Sequence, residues 1–167
     1  MNVSKKQFWG KFFLVFIPTI LFALDRLTKW FALHFLQGKE VAVFPGLTFD
    51  FSWNRGISWG MLSKTTDVGF YVLTSIIAVV IFLFVLYIFS EFRKGTNVLF
   101  ELIVFVGALS NIIDRILYKG VIDFIDCYVG AWHWPTYNLA DAFIIIGVLG
   151  ILGRSIYYAH LGKNKDC

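Results

Sequence analysis

Four runs of apolar residues, each near the length of a bilayer crossing, punctuate this chain. A spanning helix needs about 20 mostly apolar residues, and residues 8–24, 68–89, 98–117 and 139–158 supply such runs. The second is free of charge along its length. The others carry charge near their ends: Lys11 and Asp25 on the first, Glu101 and Asp114 on the third, Asp141 and Arg154 on the fourth. Pro18 predicts a kink in the first helix, which neighbouring helices can accommodate. Residues 37–66 are too polar and broken to span. Within them, Val41-Ala42-Val43-Phe44 and Leu47-Thr48-Phe49-Asp50-Phe51-Ser52-Trp53 alternate around Pro45-Gly46, which predicts two short strands. The pattern as a whole predicts an all-α membrane protein: one domain over residues 1–167, a four-transmembrane-helix bundle with a small extracytoplasmic β-rich segment between the first and second helices.

Composition reinforces the pattern. Apolar residues make up 58% of the chain, charged residues 16%, and the mean hydropathy is +0.72. Soluble domains carry about 25% charged residues, so lipid is the simpler solvent for these side chains. The net charge of +4 does not suggest nucleic acid, because the basic residues flank the apolar runs instead of forming a patch. Cys127 and Cys167 provide neither a disulfide framework nor zinc spacing. Lys5, Lys6 and Lys11 before an apolar run resemble a secretory leader. That run leads into Leu24-Asp25-Arg26 and not into a small-residue cleavage site, so a retained first helix is expected.

Four spans put both termini on one side, and the positive-inside rule orients them. Lys5, Lys6, Lys11, Arg93, Lys94, Arg154, Lys163 and Lys165 fall on one face; Arg26, Lys29, Lys39, Arg55, Lys64, Arg115 and Lys119 fall on the other. The totals nearly tie, but the first set sits in short segments. Both termini are therefore expected in the cytoplasm. This topology gathers Asp25, Asn111, Asp114 and Asp141 at the outer helix ends, with Asn54, Asp123, Asp126 and Asn138 in the connecting loops. Ionisable groups at membrane depth are costly and by default mark function. Glu101 alone lies toward the inner face, where a snorkelling role is expected.

Local patterns leave several roles open. Asn111, Asp114 and Arg115 lie at i, i+3 and i+4 on one helix face, and a helix end meeting water, with Arg115 pairing a carboxylate, explains part of that. Asn138 and Asp141 fit an N-cap and an acidic third residue favoured by the helix dipole, a reading compatible with catalysis. Asp123 and Asp126 would share a face on a helix but not in an extended chain; taken locally, each reads as a solvated loop carboxylate. Gly56-Ile57-Ser58-Trp59-Gly60 matches the nucleophile-elbow string, but the chain has no room for the α/β sheet that motif requires. No H-E-x-x-H helix is present, and His133 near Cys127 is too sparse for a metal; beside Trp132 and Trp134 it reads as part of an interfacial aromatic belt. Paired carboxylates remain. Two aspartates sharing a proton can activate water and protonate a peptide carbonyl, and that chemistry needs no cofactor.

Five blocks carry a resemblance: Asp25-Arg26-Leu27-Thr28-Lys29, Asn54-Arg55-Gly56, Gly107-Ala108-Leu109-Ser110-Asn111-Ile112-Ile113-Asp114-Arg115, Val121-Ile122-Asp123-Phe124-Ile125 and Trp134-Pro135-Thr136-Tyr137-Asn138-Leu139-Ala140-Asp141. In order and spacing they resemble the motifs of bacterial lipoprotein signal peptidase (signal peptidase II), over nearly the whole chain. Ser110 departs from the family's usual glycine. The resemblance implies an aspartic endopeptidase with Asp123 and Asp141 as its dyad, against the local reading of both. It implies supporting roles for Asp25, Lys29, Asn54, Gly56, Asn111, Asp114, Arg115 and Asn138, with Asp114 and Arg115 orienting the site and Asn54 and Asn111 binding substrate backbone. The implied substrate is a diacylglyceryl-modified prolipoprotein, cut just before its lipidated cysteine. The implied location is the bacterial inner membrane with the site toward the outer face, the implied inhibitors are globomycin-type cyclic peptides, and no metal, cofactor or obligate protein partner is implied. Residues 37–66, with Trp53 and Trp59 at the interface, are expected to hold substrate from above. A proton- or cation-coupled transporter and a non-enzymatic assembly factor are the alternatives. Asp126 and Cys127 receive no role.

Overall fold

The computed structural model describes residues 3–56 and 66–163, with side chains over 12–56 and 66–161. The Gly56–Gly60 string beyond Gly56, Trp59 and Cys167 therefore lie outside the described residues. Four helices appear, α1 (Val3–Phe35), α2 (Asp67–Arg93), α3 (Leu99–Tyr118) and α4 (Leu139–Lys163), with strands β1 (Glu40–Phe44), β2 (Leu47–Asn54), β3 (Val121–Val129) and β4 (Trp132–His133).

The first helix is longer than its apolar run. It continues past Leu24 to Phe35 because the later residues are amphipathic in an inverted sense. Asp25, Lys29, Ala32 and Leu36 recur at helical spacing and are buried, while Leu27, Trp30, Phe31 and Phe35 face outward. Charge points in and aromatics point out.

The third helix forms the centre, and α1, α2 and α4 each pack on it. Glycines set the α3–α4 approach. A Cβ on Gly107 would lie 2.5 Å from the Ala140 carbonyl oxygen, and one on Gly147 would lie 2.5 Å from Val104 Cγ2. Small residues at such interfaces let helix backbones come close in lipid. Two helices, Asp67–Arg93 and Leu139–Leu161, are long and apolar enough to cross a membrane. Along α2 only Phe70 and Ile88 are buried, so nearly its whole apolar surface is left for something other than protein. By contrast, α3 carries Glu101, Asp114 and Arg115, all buried.

The expected hairpin is present. β1 and β2 pair antiparallel around Gly46, which holds φ +100°, a conformation glycine adopts without penalty. The sheet also extends further than the sequence pattern predicted. β2 pairs antiparallel with β3, Ser52 opposite Asp123 and Asn54 opposite Val121, and β3 pairs with β4. The segment after α3, read from sequence as a loop, is thus a central strand. Ile122, Phe124 and Ile125 bury themselves against Ala32 of α1 and Leu36 just beyond it, which docks the sheet on the C-terminal end of α1.

Glu101 departs from expectation. It is fully buried and paired with Arg154, whose guanidinium also reaches the Asn97 carbonyl. A neighbouring guanidinium on α4 removes the need to snorkel.

Candidate active site

Asp123 sits on β3 and Asp141 is the third residue of α4, and one residue joins them. Asn138 donates from Nδ2 to Asp123 Oδ1 at 2.6 Å, and its Oδ1 accepts the Asp141 backbone N–H at 3.0 Å. Asp141 returns the contact by accepting the Asn138 N–H at 3.3 Å. This reciprocal arrangement is a capping box, so the capping account of this pair is correct as far as it goes. The same cap aims Asn138 at Asp123.

Two further carboxamides complete the surround. Asn54 at the end of β2 donates to Asp123 Oδ2 at 2.9 Å, and Asn111 on α3 donates to Asp141 Oδ1 at 2.8 Å. Each carboxamide carries two N–H donors, and one of each bonds a carboxylate in this state. Asp123 is 1% exposed. Burial first, then the charge of Asp141, push its carboxyl up to about 7, against the opposing pull of the Asn54 and Asn138 hydrogen bonds and of Lys29.

Behind Asp141 lies a buried ionic cluster. Lys29 Nζ reaches Asp25 at 3.0 Å, Asp114 at 2.9 Å and the Asn111 carboxamide oxygen at 2.7 Å. Asp114 also pairs with Arg26. Asp25 accepts the Ala140 backbone N–H at 2.7 Å and the Ser110 hydroxyl at 2.5 Å. Charges without water need such partners, and this cluster holds the start of α4 against α1 and α3. Arg115 behaves differently from its sequence reading: it has no carboxylate partner among the described residues. It donates to the Gly56 carbonyl and lies 5.7 Å from the Phe70 ring centre. Since the Gly56 N–H bonds Asn54 Oδ1 at 3.0 Å, Arg115 fixes the turn that aims Asn54 at Asp123.

Every supporting residue expected from the motifs thus converges on the two aspartates or on their holders. Arg26 and Ser110 belong to the same network, although the sequence suggested only a topological charge for the first and an incidental hydroxyl for the second. The i, i+4 spacing of Asp25 and Lys29 was the available signal for an inward-facing ionic stripe. Asp126 is separate: on β3 it points away from Asp123 and pairs with His133 at 2.7 Å. Cys127 lies 3.3 Å from the Tyr137 hydroxyl.

Asp141 borders two cavities. One, of about 180 Å³, is walled by Ile77, Asn111, Arg115, Val121 and Ile144, between α2, α3 and α4. The other, of about 510 Å³, runs from Cys127, Trp134 and Tyr137 down α4 past Ile145 and Ile146. Among the described residues no group of three or more His, Cys, Asp or Glu converges as metal ligands would.

The model of the family described as signal peptidase (SPase) II matches residues 17–157. The chain belongs to the signal peptidase II family. Its relatives include the lipoprotein signal peptidase of Blochmanniella pennsylvanica, 34% identical over 153 residues, covering 90% of this chain and 92% of that one. That of Listeria welshimeri is 33% identical over 140 residues, covering 81% and 88%. A bacterial membrane enzyme solved in meso at 2.3 Å resolution superposes with a TM-score of 0.72 at 26% identity, covering 86% of this chain and 87% of that one. Membership makes this chain a peptidase, and the aspartic type suits its family. The transporter and assembly-factor alternatives are not favoured.

Proposed function

We propose that this chain is an aspartic endopeptidase of the bacterial inner membrane that removes the signal peptide from diacylglyceryl-modified prolipoproteins, cutting just before the lipidated cysteine. Asp123 and Asp141 are its catalytic residues. The observation carrying this reading is that Asp123 of β3 and Asp141 of α4 both bond Asn138 beside cavities at one end of an apolar bundle. Family membership supports the substrate class.

In this mechanism the dyad holds one proton. The ionised carboxylate takes a proton from water as its oxygen attacks the scissile carbonyl carbon, while the protonated partner gives its proton to the carbonyl oxygen. The tetrahedral intermediate then collapses: the amide nitrogen takes a proton from one carboxyl, the C–N bond breaks as one hydroxyl of the intermediate gives its proton to the other carboxylate and becomes the carbonyl, and the acid and amine leave a dyad that again holds one proton. The half-buried position of Asp141 on both cavities suits the group that meets substrate first. Asn54, Asn111 and Asn138 keep both carboxyls oriented, and the second N–H of Asn54 is the donor for substrate backbone.

All four helices cross the bilayer on this reading, with both termini in the cytoplasm and the site toward the outer face. Among the described side chains, the charges within α1 and α3 are satisfied by protein: Asp25, Arg26, Lys29 and Asp114 form one cluster, Glu101 pairs with Arg154, and Arg115 holds the Gly56 carbonyl. Among the described residues α2 and α4 both rest on α3 and hardly touch each other, which leaves a lateral way from the membrane to the smaller cavity. A substrate that is itself a membrane helix enters there, and Trp53, 44% exposed on β2, stands above it. Globomycin-type cyclic peptides compete for the same space.

The test is mass spectrometry of the products formed from a synthetic prolipoprotein peptide with and without diacylglycerol on its cysteine. The proposal expects one cut, immediately before the cysteine, in the acylated peptide alone. Equal cutting of both peptides, or cutting elsewhere, overturns the substrate assignment.

A further inference from the structure

At the opposite end of the bundle from the aspartates lies a cavity of about 490 Å³ whose walls are entirely apolar: Leu14 on α1, Val85, Ile88, Phe89 and Phe92 on α2, and a floor that includes Leu102 on α3. It exists because α1 and α2 both pack on α3 but scarcely on each other. Its volume lies in the range that holds a small ligand. Open on the lipid-facing side of a membrane-crossing helix, such a groove is filled by none of the described residues, and an unfilled apolar wall forfeits dispersion contacts.

Arg93 stands at its rim. The Arg93 guanidinium stands 5.8 Å from the centre of the Phe89 ring, which is itself part of the wall. The nearby carboxylate, Glu91, is already held by Lys94 at 2.6 Å and by the Thr96 hydroxyl at 3.0 Å. Arg93 has no ion-pair partner among the described residues. An apolar slot with one uncommitted guanidinium at its mouth matches a molecule with a hydrocarbon chain and an anionic head. Guanidinium recognises phosphate through paired N–H donors.

We infer that this groove binds one anionic glycerophospholipid, an acyl chain between α1 and α2 and its phosphate on Arg93. The site rests on α2 crossing the membrane and does not depend on the aspartate chemistry. Bound there, the lipid acts as the missing contact between α1 and α2.

Photo-crosslinking of the full chain in nanodiscs tests this, using phosphatidylglycerol with a diazirine in one acyl chain and unlabelled phosphatidylglycerol or phosphatidylcholine as competitor. Labelling is expected on the segment from Val85 to Phe92 and on Leu102. Phosphatidylglycerol should compete about fivefold better than phosphatidylcholine, the effect of one basic side chain at an anionic surface. Arg93→Gln, an exposed substitution, should abolish that preference and leave the melting temperature unchanged. Leu102→Trp should fill the slot and remove the label. Equal competition by the two lipids in the wild type, or a preference that survives Arg93→Gln, overturns the phosphate contact. Undiminished labelling of a folded Leu102→Trp protein shows ordinary surrounding lipid and overturns the site. Neither readout involves peptide cleavage, so failure of the protease reading cannot be mistaken for failure of this one.

Discussion

Lys29 touches two carboxylates and a carboxamide from a position with no solvent exposure. Removing its charge leaves Asp114 with Arg26 and leaves buried Asp25 with no cation among the described residues. Breaking a buried pair from one side costs about 3–5 kcal/mol, so Lys29→Met should lower the thermal midpoint sharply and should reduce activity even below that temperature, because Asn111 loses its anchor. An unchanged midpoint by differential scanning fluorimetry would contradict the network. Asp123 makes a second prediction at this scale. Its carboxyl is raised to about 7 by burial and by Asp141, so between the ordinary carboxyl range and pH 7 the native state keeps a proton that the unfolded chain has released. Stability therefore falls as pH rises through that window, by on the order of 4 kcal/mol across it. Asp123→Asn, which cannot titrate at that position, should show a shallower slope, and denaturation of both proteins from pH 4 to pH 8 compares them directly.

Between α3 and α4 the spacing is set by backbone contact, which gives the elements their own test. At Gly107 a side chain would meet the Ala140 carbonyl oxygen at 2.5 Å and Ile144 Cγ1 at 2.8 Å, and a carbonyl cannot turn aside as a flexible side chain can. Gly107→Val should push the start of α4 off α3, parting Asp141 from Asn111. Overpacking of this kind costs typically about 1–3 kcal/mol, and turnover should fall more than substrate affinity. Helices and the first hairpin were legible from the sequence because their signals are local: apolar length for α2 and α4, alternation around Pro45-Gly46 for β1 and β2. The strand β3 was not. Its partner β2 lies far away in the chain, and Val121-Ile122-Asp123-Phe124-Ile125 has no clean alternation because both of its faces are covered. The length of α1 was missed for a related reason: Asp25 and Lys29 look like the end of an apolar run until their common inward face is known. Arg115 read as an ion-pair partner because sequence gives a charge but not the carbonyl it holds.

Taken whole, the molecule is inverted relative to a soluble protein. Asp25, Lys29, Glu101, Asp114 and Asp123 lie within, while Val72, Ile76, Phe82 and Leu83 of α2 are each more than half exposed. That inversion suits lipid. It also brings the polar residues of five separated sequence blocks to one end. The five blocks were recognisable in order along the chain, but their meeting in space required β3: Asp123 reaches Asn54 because β3 lies beside β2, and Asn138 because Tyr137 bridges Ile125. The central claim is that Asp123 and Asp141 do the chemistry, and turnover of a diacylated prolipoprotein peptide by Asp123→Asn and Asp141→Asn proteins, each shown to be folded by its melting curve, tests it most directly. Both variants should lose at least about 100-fold in kcat; wild-type turnover by either folded variant would contradict the dyad.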